Sequence, residues 1–87
     1  MTTKEIFNDV YNGQPNIMTP NIEGYYKKGN LHIEISSGQS IFGSGQIFGV
    51  TVIEDTGEEF KRRPDISVSF CEGSDRLGQA QRYKDSL

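Results

Sequence analysis

The side chains that could perform nucleophilic catalysis in this sequence are a single histidine, His32, and a single cysteine, Cys71. Such chemistry requires a nucleophile and a base within hydrogen-bond reach of each other. His32 stands between Leu31 and Ile33 in an alternating segment, so we expect its ring to face solvent on the polar side of a strand. Cys71 follows a second alternating segment and is expected to be an ordinary exposed thiol. The sequence therefore predicts no catalytic residues and no enzyme.

Metal and cofactor sites are not predicted either. Zinc is held by clustered cysteine and histidine side chains, and this chain has one of each, far apart in sequence. Three acidic residues, Asp55, Glu58 and Glu59, surround a turn, but their spacing is not that of a calcium-binding loop. The glycine-rich run 43–49 leads into a strand, whereas phosphate-binding glycine loops lead into a helix N-terminus. We expect no metal, nucleotide or other cofactor.

Two tyrosines and two lysines stand together as Tyr25, Tyr26, Lys27 and Lys28. Aromatic rings and cations of this kind stack on bases and neutralise the phosphates of single-stranded nucleic acid. The formal net charge of −3 provides no overall attraction for a polyanion. Neighbouring strand residues also point to opposite faces, so only one of the two rings can belong to an exposed platform. An RNA- or single-stranded-DNA-binding domain that uses these four residues is the alternative interpretation.

A glycine-rich arm over residues 37–49 carries the clearest candidate for protein binding. It is an imperfect tandem in which Ile41 and Phe42 lie among glycine, serine and glutamine residues. An exposed isoleucine–phenylalanine pair on such an arm is typical of an interface anchor. Both side chains could instead fold back and cap the core. The sequence leaves these two arrangements open.

The main hypothesis is a non-enzymatic protein-binding module that blocks a larger protein or protein complex by steric or electrostatic means. Its predicted partner-binding residues are Ile41 and Phe42, together with three outward charges on a short strand, Lys61, Arg62 and Arg63. Pairing of the arm or of an edge strand with a second copy would make a homodimer.

The chain of 87 residues is long enough for one domain, which we expect to span 1–87. Residues 2–12 are predicted to form a helix that starts at a capping box of Thr2 and Glu5 and buries one apolar face. A second helix is predicted to begin near Ser74, its expected N-cap residue, and to lie across one face of the sheet. We expect the first helix to cover the same face or an edge.

Alternating or β-branched segments between the two helices predict an antiparallel meander of four or five strands. We expect a hairpin over 23–36 and further strands over 47–54, 59–63 and 65–71, with Pro64 ending the charged strand. The predicted fold class is therefore α+β. It is a small single domain with the element order α-β-β-β-β-β-α, in which a short N-terminal helix and a C-terminal helix pack on the sheet.

No motif identifies a family. The small size, single sheet and lack of a catalytic set are similar to those of small proteins from phages and other mobile elements, among them the anti-CRISPR proteins, which block a host defence complex. This likeness is one of size and style, so no functional residue is carried over from it. A lone cysteine cannot form an internal disulfide, and we see neither a signal peptide after Met1 nor a run approaching the roughly 18 apolar residues of a membrane span. We therefore expect a cytoplasmic protein.

Overall fold

The computed structural model describes residues 1–11, 21–39 and 45–87. These residues form an antiparallel five-stranded sheet with one helix before it and one after it, which confirms the predicted α+β class. The elements are, in chain order, α1 (Thr3–Tyr11), β1 (Asn21–Lys28), β2 (Leu31–Gln39), β3 (Gln46–Asp55), β4 (Phe60–Arg62), β5 (Val68–Phe70) and α2 (Arg76–Ser86).

The long hairpin of β2 and β3 forms the centre of the sheet, and its two strands pair along their whole length. The glycine-rich arm predicted over 37–49 is therefore wrong in extent, because residues 37–39 belong to β2 and residues 46–49 belong to β3. Cross-strand backbone hydrogen bonds keep these glycine- and serine-containing ends extended, which local composition alone does not favour. Residues 40–44 lie outside the described part of the chain.

The sheet order is β1-β2-β3-β4, and β5 pairs with the other half of β3. β4 and β5 thus form one edge strand that is interrupted over residues 63–67. Ser67 closes the interruption, since its hydroxyl accepts from the Val52 amide at 3.0 Å and donates to the Arg63 carbonyl at 2.8 Å. β4 ends at Arg62, two residues before Pro64, which has no amide hydrogen with which to continue the ladder.

α2 packs on one face of the sheet and covers the main core. The fully buried strand residues of this face are Ile33, Ile35, Val50 and Val52, each at most 1% exposed. Burying an aliphatic side chain of this size contributes about 1.5–3 kcal/mol to the free energy of unfolding, before entropy is counted. The second helix lies across one face of the sheet as predicted, because Ala80 is buried in this core and Leu77, Tyr83 and Leu87 pack around it.

α1 packs on the opposite face, so the expectation that it would cover the same face as α2 or an edge is wrong. Ile6 and Phe7, both 2% exposed, form a second cluster with Ile53. The reason lies in strand alternation: Val52 and Ile53 are neighbours on β3 and point to opposite sides. Because both side chains are fully buried, each side of the sheet requires its own helix.

Side chains cap the start of both helices. The predicted capping box of α1 is confirmed, since the Glu5 amide donates to the Thr2 hydroxyl at 3.2 Å. In α2 the N-cap residue is Asp75 and not Ser74 as predicted, because the Asp75 carboxylate accepts from the Gly78 amide at 3.2 Å. The carboxylate occupies the space in which a Cβ on Gly78 would lie. Glycine is thus required at this position by the cap.

Replacing Gly78 with alanine tests this packing. In an ordinary helix interior the change would stabilise by about 1 kcal/mol. Here we expect this gain to vanish and the Tm to stay near the parent value, because the new methyl group displaces the Asp75 carboxylate and removes a cap worth about 1 kcal/mol. In an Asp75→Gly background, which has no carboxylate to displace, the same substitution should raise the Tm. A rise in both backgrounds would contradict the close contact between cap and glycine.

Candidate functional site

His32 is buried, so the prediction that its ring faces solvent is wrong. Its side chain is 3% exposed and lies beneath α1, because that helix covers the polar side of β2 as well as Ile53. The imidazole Nδ1 lies 2.9 Å from Thr3 Oγ1, and the ring makes an edge contact with Phe60 at 6.1 Å between ring centroids. Burial lowers the pKa of His32. The ring is therefore a neutral part of the packing between helix and sheet.

A second titratable group on the same face, Glu34, was missed by the sequence reasoning. It is half-buried and accepts a hydrogen bond from the hydroxyl of Tyr25, its neighbour on β1. Burial raises the pKa of Glu34, and the hydrogen bond from Tyr25 opposes this shift. Burial also raises the pKa of Tyr25, and the negative charge of Glu34 adds to the effect. Strand alternation places Glu34 on the same face as His32, so its burial depends on the position of α1, which the sequence analysis predicted wrongly.

The two tyrosines of the nucleic-acid interpretation do point to opposite faces, as predicted, and both rings are half-buried. Tyr25 packs against Phe7 of α1, with 5.8 Å between ring centroids. Tyr26 packs against the core under α2, and the Lys84 ammonium lies 3.9 Å from its ring centroid. Each ring thus already has a partner from one of the two helices.

The two lysines of that interpretation differ from each other. Lys28 donates from Nζ to the carbonyl oxygens of Lys84 at 3.1 Å and of Asp85 at 2.5 Å. It therefore satisfies carbonyls at the C-terminal end of α2, where a cation is also favoured by the helix dipole. Lys27 is exposed. These four residues therefore form no continuous exposed platform within the described part of the chain.

Arg63, one of the three predicted outward charges, is held by two carboxylates. Its Nη1 lies 2.8 Å from Glu54, and its Nε and Nη2 bind both oxygens of Asp65 at 3.0 and 2.8 Å. These contacts raise the pKa of Arg63 and lower the pKa of Asp65. The guanidinium thus closes the turn between β4 and β5 and ties it to β3.

In the described part of the chain, Arg62 and Lys61 are not bound to carboxylates as Arg63 is. Arg62 donates to the Val10 carbonyl at 2.8 Å, and its guanidinium lies 4.4 Å from the centroid of the Tyr11 ring. It therefore attaches the C-terminal end of α1 to the edge of the sheet. Lys61 is exposed and makes no hydrogen bond or ion pair with the residues that the structure describes.

Among the described residues, no strand lies beside the outer side of β4, and we call its three residues the β4 edge: Phe60, Lys61 and Arg62. All three are exposed, and Phe60, at 37%, is one of the few large apolar side chains among the described residues that remain so. Sequence reasoning included Lys61 and Arg62 but missed Phe60, although an aromatic residue directly before a charged pair on an edge strand was the available signal. Ile41 and Phe42 lie outside the described residues, so their part in the site stays a prediction.

The other candidate groups of the sequence lie apart from the β4 edge. Cys71 is exposed in the segment between β5 and α2. Within residues 1–11, 21–39 and 45–87, no three His, Cys, Asp or Glu side chains are clustered in a way that could hold a metal ion. Neither of the two helices has the length and apolar character that crossing a membrane requires.

Comparison of the chain with protein-family models, with curated proteins and with solved structures gives no match. The site is therefore argued from its own geometry alone.

Glu34→Gln tests the electrostatics under α1. When folding raises the pKa of a carboxyl group, the ionised group lowers the free energy of unfolding. This loss disappears as the pH falls below the pKa of the folded state. The amide keeps an acceptor for Tyr25 and has no charge to bury. We expect a higher Tm than that of the parent protein at pH 7, with the difference shrinking as the pH approaches the ordinary glutamate pKa of about 4.3. The exposed Glu59→Gln is the control, and a lower Tm of Glu34→Gln at pH 7 would contradict the assignment.

Proposed function

We propose that this protein is a non-enzymatic protein-binding module that presents its β4 edge to a larger protein or protein complex. The observation that carries the proposal is the composition of that edge. Phe60 is 37% exposed, and the ammonium group of Lys61 makes no hydrogen bond or ion pair with the described residues. The two side chains point to opposite sides of β4, an outer strand with no further strand beside it among the described residues. Aromatic and cationic side chains are typical binding hot spots, and an open strand edge adds backbone donors and acceptors.

The two faces of the sheet and several of its cations are engaged within the chain, whereas β1, the other outer strand, also carries the exposed Ile22 and Lys27. α2 covers one face of the sheet and α1 packs on the other. The histidine is buried, and the cations Lys28, Arg62 and Arg63 are bound to carbonyl or carboxylate oxygens of this chain. Lys61 has no such contact with the described residues, so a partner can bind it without breaking an internal interaction.

The chemistry of the β4 edge indicates what a partner has to supply. Lys61 requires a carboxylate or a set of carbonyl oxygens, and Phe60 requires an apolar pocket that covers the exposed part of its ring. Arg62 can take part only through the donors that Val10 leaves free. Arg63 contributes through the shape of the turn that it holds, since two carboxylates already engage its guanidinium.

More specifically, we propose that the protein is a cytoplasmic inhibitor from a phage or another mobile element. It would block a host defence complex, as anti-CRISPR proteins do. Its small size and its single sheet are similar to those of such proteins and support this more specific proposal. Ile41 and Phe42 extend the contact if they project from the sheet. Pairing of β1, the other outer strand, with a second copy would give a homodimer.

The alternative, binding of RNA or single-stranded DNA through Tyr25, Tyr26, Lys27 and Lys28, has less support. Both rings pack against a helix, and one of the two lysines binds the end of α2. Nucleic-acid binding depends steeply on salt because cations displaced from phosphates are released. An affinity for a single strand that falls by orders of magnitude between low and moderate salt would favour this alternative.

Lys61→Glu tests the protein-binding proposal with little effect on the fold. We expect the Tm to stay within about 2 °C of the parent value, since surface changes without partners alter stability by less than about 0.5 kcal/mol. We expect binding to the partner to weaken at least about tenfold, because the new charge repels the carboxylate that Lys61 meets. The measurement is affinity capture of the tagged protein from a nuclease-treated bacterial lysate, quantified by mass spectrometry.

Arg82→Glu on α2 is the matched control, because it makes the same charge reversal at an exposed arginine away from β4. It should retain the partner that Lys61→Glu loses. Equal capture by both variants would contradict a role for the β4 edge. Loss of all partners after nuclease treatment would favour the nucleic-acid alternative.

Phe42→Ala tests the anchor proposed outside the described residues. If Phe42 contacts the partner, the substitution abolishes capture and leaves the Tm nearly unchanged. A loss of about 3 kcal/mol or more in unfolding free energy, which is typical of a phenylalanine removed from a core, would assign the ring to the core instead.

A further inference from the structure

α1 and α2 bury two separate clusters on opposite sides of the sheet. The cluster under α1 consists of Ile6, Phe7 and Ile53 with their half-buried neighbours, whereas the cluster under α2 contains the other buried strand residues. α1 adds no strand to the sheet and is fixed to it through side chains. Units with their own small cluster open at a lower free energy than the global core. The release of α1 therefore leaves the cluster under α2 intact.

His32 is buried between α1 and the sheet, so the charge of its ring affects the release of the helix. Among the described residues, it is the one buried side chain under the first turn of α1 that can gain a charge, and Thr3 of that turn lies 2.9 Å from its Nδ1. The threonine hydroxyl can donate to a neutral ring nitrogen or accept from a protonated one, so this contact alone does not exclude the proton. Burial disfavours protonation of the ring, because an ion beneath the helix loses its hydration without gaining a paired charge.

We propose that His32 makes the docking of α1 sensitive to acid, so that protonation of the imidazole releases the helix from the sheet while the β2–β3 core stays folded. The released state exposes the apolar side of α1 and the sheet surface around Ile53. This property does not rest on the partner-binding function proposed above, but release of α1 would also break the contact of the helix with Arg62 of the β4 edge.

The groups around His32 favour the neutral ring. Burial has the largest effect and lowers the pKa of His32, and Lys27 on β1 lowers it further. Asp55 at the end of β3 acts in the opposite direction, and the amino terminus before α1 again lowers the pKa. Phe60 on β4 contributes a ring edge and no charge. Glu34 lies two residues along β2, and its pKa shifts in the opposite direction from that of His32, since burial raises it.

The direction of the pH dependence follows from linkage. A histidine whose pKa is lower in the docked state than its ordinary value of about 6.5 binds more protons once α1 is released. Docking is therefore fully stable above pH 6.5. It weakens as the pH falls below this value, until the pKa of the docked state is reached. Over this window the equilibrium constant for release rises by up to about tenfold for each pH unit.

Amide hydrogen exchange measured by NMR between pH 7.5 and 4.5, corrected for the intrinsic rate, tests the proposal. The opening constants of α1 amides should rise by up to about tenfold per pH unit below about 6.5, and those of β2 and β3 amides should not. In His32→Gln the rise should disappear, whereas in Glu34→Gln it should remain. The same rise in His32→Gln, or the same rise in β2 and β3 amides, would overturn the proposal.

A measurement on the unaltered protein decides the question if His32→Gln does not fold. Since the chain has one histidine, its imidazole Cε1 proton gives an isolated NMR signal that reports the pKa of His32 directly. The proposal requires a midpoint below the ordinary 6.5. A midpoint at or above that value would overturn it.

Discussion

The pairing of β2 with β3 is the interaction on which the rest of the structure depends. It fixes which residues share a face, so Ile33 and Val52 lie under α2 while His32 and Ile53 lie under α1. β1 attaches to the outer side of β2, and β4 and β5 attach to the outer side of β3. A shift of one residue in this pairing would exchange the two faces and expose both clusters.

The charged side chains largely serve this architecture. Lys28 holds the end of α2, Arg62 holds the end of α1, and Arg63 holds the turn between β4 and β5. A cluster of cations in a sequence is therefore not by itself an electrostatic surface, because each cation can be used by a backbone carbonyl or a carboxylate of the same chain. Lys61 on the β4 edge makes no such contact with the described residues, and the same is true of Lys4 and Lys27.

Much of the fold could be predicted from local patterns, and the errors have a common cause. The alternation of Leu31, Ile33 and Ile35 and the capping box of α1 depend on nearby residues, and both predictions are correct. The exposure of His32 and the position of α1 depend on which side of the sheet a distant helix covers. A single sequence contains no direct information on that choice, since a polar residue on a strand can face either water or a helix.

The candidate site was only partly predictable for a related reason. Residue type identified Lys61, Arg62 and Arg63 as charges on a short strand, but their internal partners come from α1, β3 and the turn after β4. Phe60 becomes noticeable only when β4 is seen to be the outermost strand. Conversely, Tyr25 and Tyr26 resemble a stacking platform until the two helices are placed over them.

We propose above all that a protein partner contacts the β4 edge of this sheet. Hydrogen–deuterium exchange of the chain, free and in complex with the captured partner, tests this contact. We expect slower exchange in the complex for the amides of Phe60, Lys61 and Arg62, with the amides of α2 unchanged. Protection of α2 together with unchanged exchange in β4 would contradict it.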